Sequence, residues 1–188
     1  MPFQQPKIFC FDEYHPYRIA GVQNLKCDSK SKLMMDFKDP TNCNHEKAVK
    51  YFTKSLILNL QTLTYQRRPI TAHEFIVTVV PSHTAGRISP ALCTVARKVC
   101  QHFPLWSFSQ ILTRHVTVPS SHKDGGKRSI ATHLNSINVV SPIDVHGKRV
   151  LILDDVKTTG STITACHNLI QDAKAVLIVP VALMETTY

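Results

Sequence analysis

Two adjacent carboxylates followed by a run of hydroxyls carry the clearest chemistry in this chain. Asp154 and Asp155 precede Thr158, Thr159, Gly160, Ser161 and Thr162 within "RVLILDDVKTTGSTITA", which runs from Arg149 to Ala165. A glycine-centred turn lets backbone N–H groups converge on one point. The helix that the pattern starts next adds free N–H groups and the positive end of its dipole. The hydroxyls of Thr158, Thr159, Ser161 and Thr162 supply further donors. Such a site suits a phosphate monoester, and its spacing is not that of the GxxxxGK[ST] nucleoside-triphosphate loop. Carboxylates repel phosphate, so Asp154 and Asp155 need another partner. Vicinal sugar hydroxyls, met directly or through water on a divalent cation, meet that need. Phosphate donors beside two hydroxyl acceptors describe a ribose 5-phosphate pocket. The plainer alternative is an acidic strand end with Thr and Ser capping a helix; it accounts for one Asp but poorly for the whole string.

These residues need a rigid frame. "KRVLILDDV" is an apolar run ending in the two acids and reads as a buried strand. "STITACHNLIQDA" reads as the following helix, and "KAVLIVPVAL" as the next strand. Earlier, "HEKAVKYFTKSLILNLQTL" places Val49, Phe52, Leu56, Leu60 and Leu63 at helical spacing. "EFIVTVVPS" reads as a strand ended by Pro81. "ISPALCTVARKVCQHF" reads as a helix with Leu92, Val95 and Val99 on one face and Pro90 in its first turn. "LWSFSQILTRHVTV" is expected to contain one more strand, and "PSSHKDGGKRSIATHLNSI" a polar loop running into a short helix. The alternation predicts an α/β fold, a Rossmann-like parallel sheet flanked by helices. A small irregular N-terminal hood, residues 1–66 with the helix from His45, is expected to precede a core of residues 67–188. Ligands of such sheets bind beyond the carboxyl ends of the strands, which brings Pro81, Ser82 and His83 to the crevice of Asp154 and Asp155.

An apolar fraction of 43% and a charged fraction of 19% belong to a globular chain rather than a disordered one. The longest apolar run, Val176 to Leu183, has strand length and contains Pro180, so no membrane partner is expected. "MPFQQPKIFCFDEYHPY" has no basic segment leading into an apolar one. The expectation is a cytoplasmic protein without a signal peptide, its six cysteines reduced. Cys10, Cys27 and Cys43 with His15 or His45 match no compact zinc spacing. Lys and Arg number 22 against 13 Asp and Glu, a net charge of +9. That excess favours polyanions: nucleic acid, phosphorylated metabolites or an acidic protein partner.

"VLILDDVKTTGST" resembles the phosphoribosyl-pyrophosphate signature of the type I phosphoribosyltransferases: apolar strand, two acids, and a TTGxT turn into a helix. The resemblance implies that family's fold, with phosphoribosyl pyrophosphate or a nucleotide as ligand. By it, Asp154 and Asp155 hold the ribose hydroxyls and Mg2+, directly or through water, and the magnesium bridges pyrophosphate and ribose oxygens. Lys157, Thr158, Thr159, Gly160, Ser161 and Thr162 hold the 5′-phosphate, and Val156 joins them in binding the substrate. "VTVVPSHTAGR" stands where the family carries its pyrophosphate loop, making Ser82, His83 and Arg87 candidate contacts. The segment from Arg114 to Arg128 stands where a flexible catalytic loop closes over the substrate. There His122, Lys123, Lys127 and Arg128 suit pyrophosphate, and Lys123 and Arg128 are expected to act in catalysis beside the two acids. The layout is most similar to the competence protein F branch, through its "VPS…R" strand end and "KRSIATHLNSINV" ahead of the signature. That branch's paired-cysteine N-terminal metal module is absent here, and "SHTAGR" departs from its usual basic loop.

The implied reaction displaces pyrophosphate from the anomeric carbon by a nitrogen acceptor. Its oxocarbenium-like transition state must be stabilised by charge and kept from water. His83 and His115 are general-base candidates by position alone. The acceptor base is expected to meet the hood, where Phe11, Tyr14 or Tyr17 can stack, but nothing selects a named base. A second reading is a non-catalytic regulator that binds phosphoribosyl pyrophosphate or a nucleotide, or a component of a DNA-uptake or phage-defence system. The basic charge permits nucleic acid or a partner protein, and a homodimer stays open. Both acids and a basic loop together favour the enzyme.

Overall fold

The computed structural model describes residues 5–119, 129–140 and 142–187. Its centre is a parallel sheet built around the strand that carries the acids. Apart from two two-residue hairpins, Arg18–Ile19 with Val22–Gln23 and Thr64–Tyr65 with Arg68–Pro69, the strands of the described residues in chain order are β1 Phe9–Cys10, β2 Glu13–Tyr14, β3 Phe75–Val79, β4 Trp106–Phe108, β5 Leu112–Arg114, β6 Ile137–Val139, β7 Arg149–Lys157 and β8 Leu177–Thr186. The sheet runs β1-β8-β7-β3-β4, with β2 also pairing with β8, and every pairing in it is parallel. Among the described residues six α-helices accompany it: α1 Ser29–Lys38, α2 His45–Leu60, α3 Pro90–His102, α4 Ile130–Leu134, α5 Pro142–Val145 and α6 Ser161–Asp172.

The apolar run of β7 is buried from Val150 to Leu153 because helices cover both faces of the sheet. Leu151 and Leu153 join Val77, Val79 and Val181 in a core shared with α1, α2 and α3. Val150 and Ile152 point the other way, into a core with Ile163, Cys166 and Ile170 of α6. This period-two division explains why the strand reads as continuously hydrophobic. The helix from His45 forms as its spacing predicts, with Val49, Phe52, Leu56 and Leu60 buried and Leu63 just beyond its end. On α3, Ser89 caps the first turn by accepting from Leu92 N, and Pro90 takes the first helical position, where a missing N–H costs nothing.

Two segments differ from expectation. "LWSFSQILTRHVTV" holds two strands, not one. β4 ends in the main sheet, and β5 turns away to pair antiparallel with β6, Arg114 opposite Ile137. Gln110 makes the break tolerable. Its side-chain amide donates to Val79 O at 2.9 Å and Leu112 O at 2.7 Å, standing in for the strand that has left. Nearer the N-terminus, Phe9–Cys10 and Glu13–Tyr14 extend the main sheet alongside β8. Ser29–Lys38 forms a helix where the sequence suggested irregular chain. Asp28 caps it through Ser31 N at 2.7 Å, and Phe37 packs edge-on against Phe52 of α2 with ring centroids 5.3 Å apart.

Candidate functional site

Strand register fixes the acids. Leu153 is the last β7 residue paired with β3, opposite Val79, while Asp154 lies opposite the small Ala182 of β8. The chain of β3 continues into Val80 and Pro81, so β7 loses a neighbour at Asp154 and a cavity of about 740 Å³ opens. Each carboxylate is oriented by the backbone after it. Asp154 Oδ1 accepts from Asp155 N at 2.9 Å, and Asp155 Oδ1 from Val156 N at 2.6 Å. Burial, and then the charge of Asp155, push the Asp154 carboxyl up to about 7, against smaller opposing effects of the Asp155 N–H and Lys38.

Lys38 is a site residue that sequence reasoning missed. The last residue of α1, it places Nζ 3.2 Å from Asp155 Oδ2 and 6.0 Å from the centre of the Tyr14 ring. Burial works against its charge, but Asp155 and Asp154 outweigh burial and hold its ammonium above the ordinary lysine range. The cavity is lined from two parts of the sequence. The acids come from the end of β7, while Tyr14, Arg18, Ile19 and Lys38 come from the N-terminal part of the chain.

The hydroxyl turn closes as the glycine requires. Gly160 sits at φ +75, and its carbonyl accepts from Thr164 N at 2.9 Å to begin α6. The helix has no side-chain cap hydrogen bond from Gly160, while Thr159 Oγ1 lies 2.9 Å from Ser161 Oγ and 3.3 Å from its N. A Cβ at Gly160 would come within 2.9 Å of Ile8 Cδ1, a side-chain tip that can yield, so backbone conformation dominates. Gly160→Ala should cost about 1 kcal/mol in urea unfolding and weaken any ligand held by the turn. Unchanged stability and unchanged binding would mean that the turn is not under conformational constraint.

The structure brings Ser82, His83, Arg87, Asp154, Asp155, Val156, Thr158 and Thr162 to one cavity. The 82–87 loop is closed by Ser82 N to Arg87 O at 2.9 Å and pinned to the next segment by Gly86 N to Arg114 O at 2.9 Å. Thr159, Gly160 and Ser161 form the adjacent turn without lining the cavity. Lys157 instead forms an ion pair with Glu185, its direct cross-strand neighbour on β8. His115 is exposed and does not line the cavity. Of the three candidate aromatics, Tyr14 lines the cavity, Phe11 packs against the main core and Tyr17 lies exposed. His122, Lys123, Lys127 and Arg128 lie outside the described residues.

Arg114 and His133 are further residues that sequence reasoning did not single out. Arg114 lines the cavity yet is only 2% exposed. Its Nε donates to Ser82 O at 2.6 Å, Nη1 donates to Ser136 Oγ, and Nη2 lies 3.4 Å from His133 Nδ1. The other ring nitrogen, His133 Nε2, is 3.2 Å from Thr162 Oγ1. A short buried chain thus links the 82–87 loop to the first turn of α6.

The donor set can be tested against a magnesium ion. Among the described residues no group of three His, Cys, Asp or Glu side chains converges, and the carboxylates that line the cavity there are Asp154 and Asp155. Mg2+ is commonly bound by one or two carboxylates, with waters and substrate phosphates completing its shell. Burial first, and then the charge of Asp155, raise the Asp154 carboxyl, and a cation between two adjacent acids would offset both, so the residues fit the ion. Among the described residues, no helix is long and apolar enough to cross a membrane.

No family model matches the chain, and no curated protein matches it in sequence. Among solved structures, the chain is similar to a phosphoribosylpyrophosphate synthetase from Mycobacterium smegmatis, at 19% identity and a TM-score of 0.42, over 74% of this chain and 33% of that one. It is similar to a hypoxanthine phosphoribosyltransferase from Staphylococcus aureus at 12% identity and a TM-score of 0.41, over 83% and 64%. The glutamine phosphoribosylpyrophosphate amidotransferase from B. subtilis matches at 13% identity and a TM-score of 0.49, over 79% and 29%. The chain thus spans less than two thirds of the length of each of these structures.

Proposed function

We propose that the protein binds 5-phosphoribosyl 1-pyrophosphate with Mg2+ and transfers its phosphoribosyl group to a nitrogenous acceptor with release of pyrophosphate, as a type I phosphoribosyltransferase of the competence protein F branch. The observation that carries this reading is the convergence, in one cavity, of two acids, a hydroxyl-lined helix start and the Ser82–Arg87 loop. Asp154 and Asp155 accept from the ribose hydroxyls and would hold the magnesium. Bound there, the ion would neutralise charge on the departing pyrophosphate. Thr158 and Thr162, with the first N–H groups of α6, donate to the 5′-phosphate, and Ser82, His83 and Arg87 face the pyrophosphate. Lys123, Lys127 and Arg128 carry positive charge to the same leaving group.

Catalysis on this arrangement is electrostatic. The acids lie where positive charge develops on the sugar, and the cations where negative charge develops on the leaving group. Tyr14, Ile19 and Lys38 roof the cavity and limit water at the anomeric carbon. The acceptor base enters from that side and meets Tyr14. A cytoplasmic setting, where phosphoribosyl pyrophosphate is available, suits this reading.

Incubating the protein with phosphoribosyl pyrophosphate, Mg2+ and a panel of purines, pyrimidines and amines should release pyrophosphate faster than hydrolysis alone for at least one acceptor. Tight binding without release for any acceptor would favour a non-catalytic sensor instead.

A further inference from the structure

The buried chain Arg114–His133–Thr162 carries proton information as well as geometry. An arginine side chain has only donors, so the His133 nitrogen that faces it must accept. That nitrogen is Nδ1, 3.4 Å from Arg114 Nη2. The single ring proton then belongs on Nε2, which is 3.2 Å from Thr162 Oγ1. With His133 Nε2 donating, Thr162 Oγ1 accepts along that line and its own hydroxyl proton must point elsewhere. Thr162 lines the cavity in the first turn of α6, beside the free end of the helix. His133 is 1% exposed and Arg114 2%, so water does not readily substitute for either partner.

We propose that His133 is a positioning residue: held by Arg114 as the Nε2–H tautomer, it fixes the Thr162 hydroxyl as a donor to an anion in the cavity. This inference rests on the phosphate role assigned above to the α6 turn. The consequence is directional. Free to rotate, a threonine hydroxyl can present either a proton or a lone pair to the cavity. Engaged by His133, it presents the proton, the arrangement a phosphate oxygen needs and a sugar hydroxyl acting as donor does not. Arg114 also donates to Ser82 O at 2.6 Å, so the same guanidinium ties this orientation to the position of the 82–87 loop.

Ribose 5-phosphate serves as the probe, titrated by calorimetry into the unaltered protein and four variants. His133→Ala should weaken binding about tenfold, the scale of one hydrogen bond to a charged group. His133→Gln, which can offer one acceptor and one donor, should retain most of the affinity. Thr162→Val should lose a similar amount, and adding His133→Ala to it should cost nothing more. A merely structural histidine would keep its cost in the Thr162→Val background, and that result would overturn the inference. Nitrogen-15 NMR of the unliganded protein should find His133 Nδ1 unprotonated and Nε2 protonated; the opposite tautomer or an imidazolium would also overturn it. Failure of the unaltered protein to bind ribose 5-phosphate would overturn the phosphate reading and this inference with it. Normal binding with undiminished affinity in every His133 variant would overturn the inference alone.

Discussion

Asp154→Asn should make the protein more stable and less able to bind its ligand. In the folded chain the Asp154 carboxyl holds its proton to about 7, against 3.8 for the unperturbed group. Between those values the folded state binds a proton that the unfolded state has released, so stability falls as pH rises through that window. The cost is fully present above about pH 7 and absent below about pH 4. Asparagine has no such charge and can still accept from Asp155 N. The variant should therefore gain on the order of 4 kcal/mol at pH 8, and progressively less toward pH 4, measured by urea unfolding at a series of pH values. Affinity for phosphoribosyl pyrophosphate with Mg2+ should fall about a hundredfold, because the ion and the ribose hydroxyls lose a charged acceptor. Equal stability of the two proteins at pH 8 would contradict the strained-acid account, whatever happened to binding.

Lys38→Met should separate the effect of this lysine on stability from its effect on cations. The Lys38–Asp155 pair is partly exposed, with 39% of the lysine side chain and 23% of the aspartate accessible, so solvent screens it. Its loss should cost at most about 1 kcal/mol of stability. The larger effect is on cations. In the free protein Lys38 neutralises Asp155 and opposes a second positive charge there. Removing it should push the Asp154 carboxyl higher and tighten Mn2+ binding about tenfold, read by water-proton relaxation with Mn2+ as the probe. Weaker Mn2+ binding in Lys38→Met would mean that the lysine organises the acids rather than competing for them.

Much of this architecture is legible in the residues. The β7 run, the α6 pattern and the glycine-centred turn are local signals, and local chemistry produces them: an apolar strand buried on both faces, a turn that needs positive φ, a helix start rich in hydroxyls. Pro81 and Pro90 mark real ends for the same reason. What the sequence hides is long-range placement. Lys38 ends a helix, SKSKLMMDFK, with little amphipathic pattern, and only Ser31, Met34 and Phe37 of it are buried. Arg114 reads as an ordinary basic residue beside a polar loop. It is buried with Ser82 from one segment and His133 and Ser136 from another as partners of its guanidinium. The departure of β5 from the main sheet likewise depends on one glutamine side chain, which periodicity cannot reveal.

The central claim is that Asp154, Asp155 and the α6 turn hold one phosphoribosyl ligand. Calorimetric titration of phosphoribosyl pyrophosphate into the protein with Mg2+ tests it most directly, run beside the Asp154→Asn/Asp155→Asn double variant. The account predicts saturable, one-to-one binding by the unaltered protein and none by the variant at the same concentrations, although the variant stays folded. No binding by the unaltered protein at millimolar ligand, or equal binding by both proteins, would contradict it.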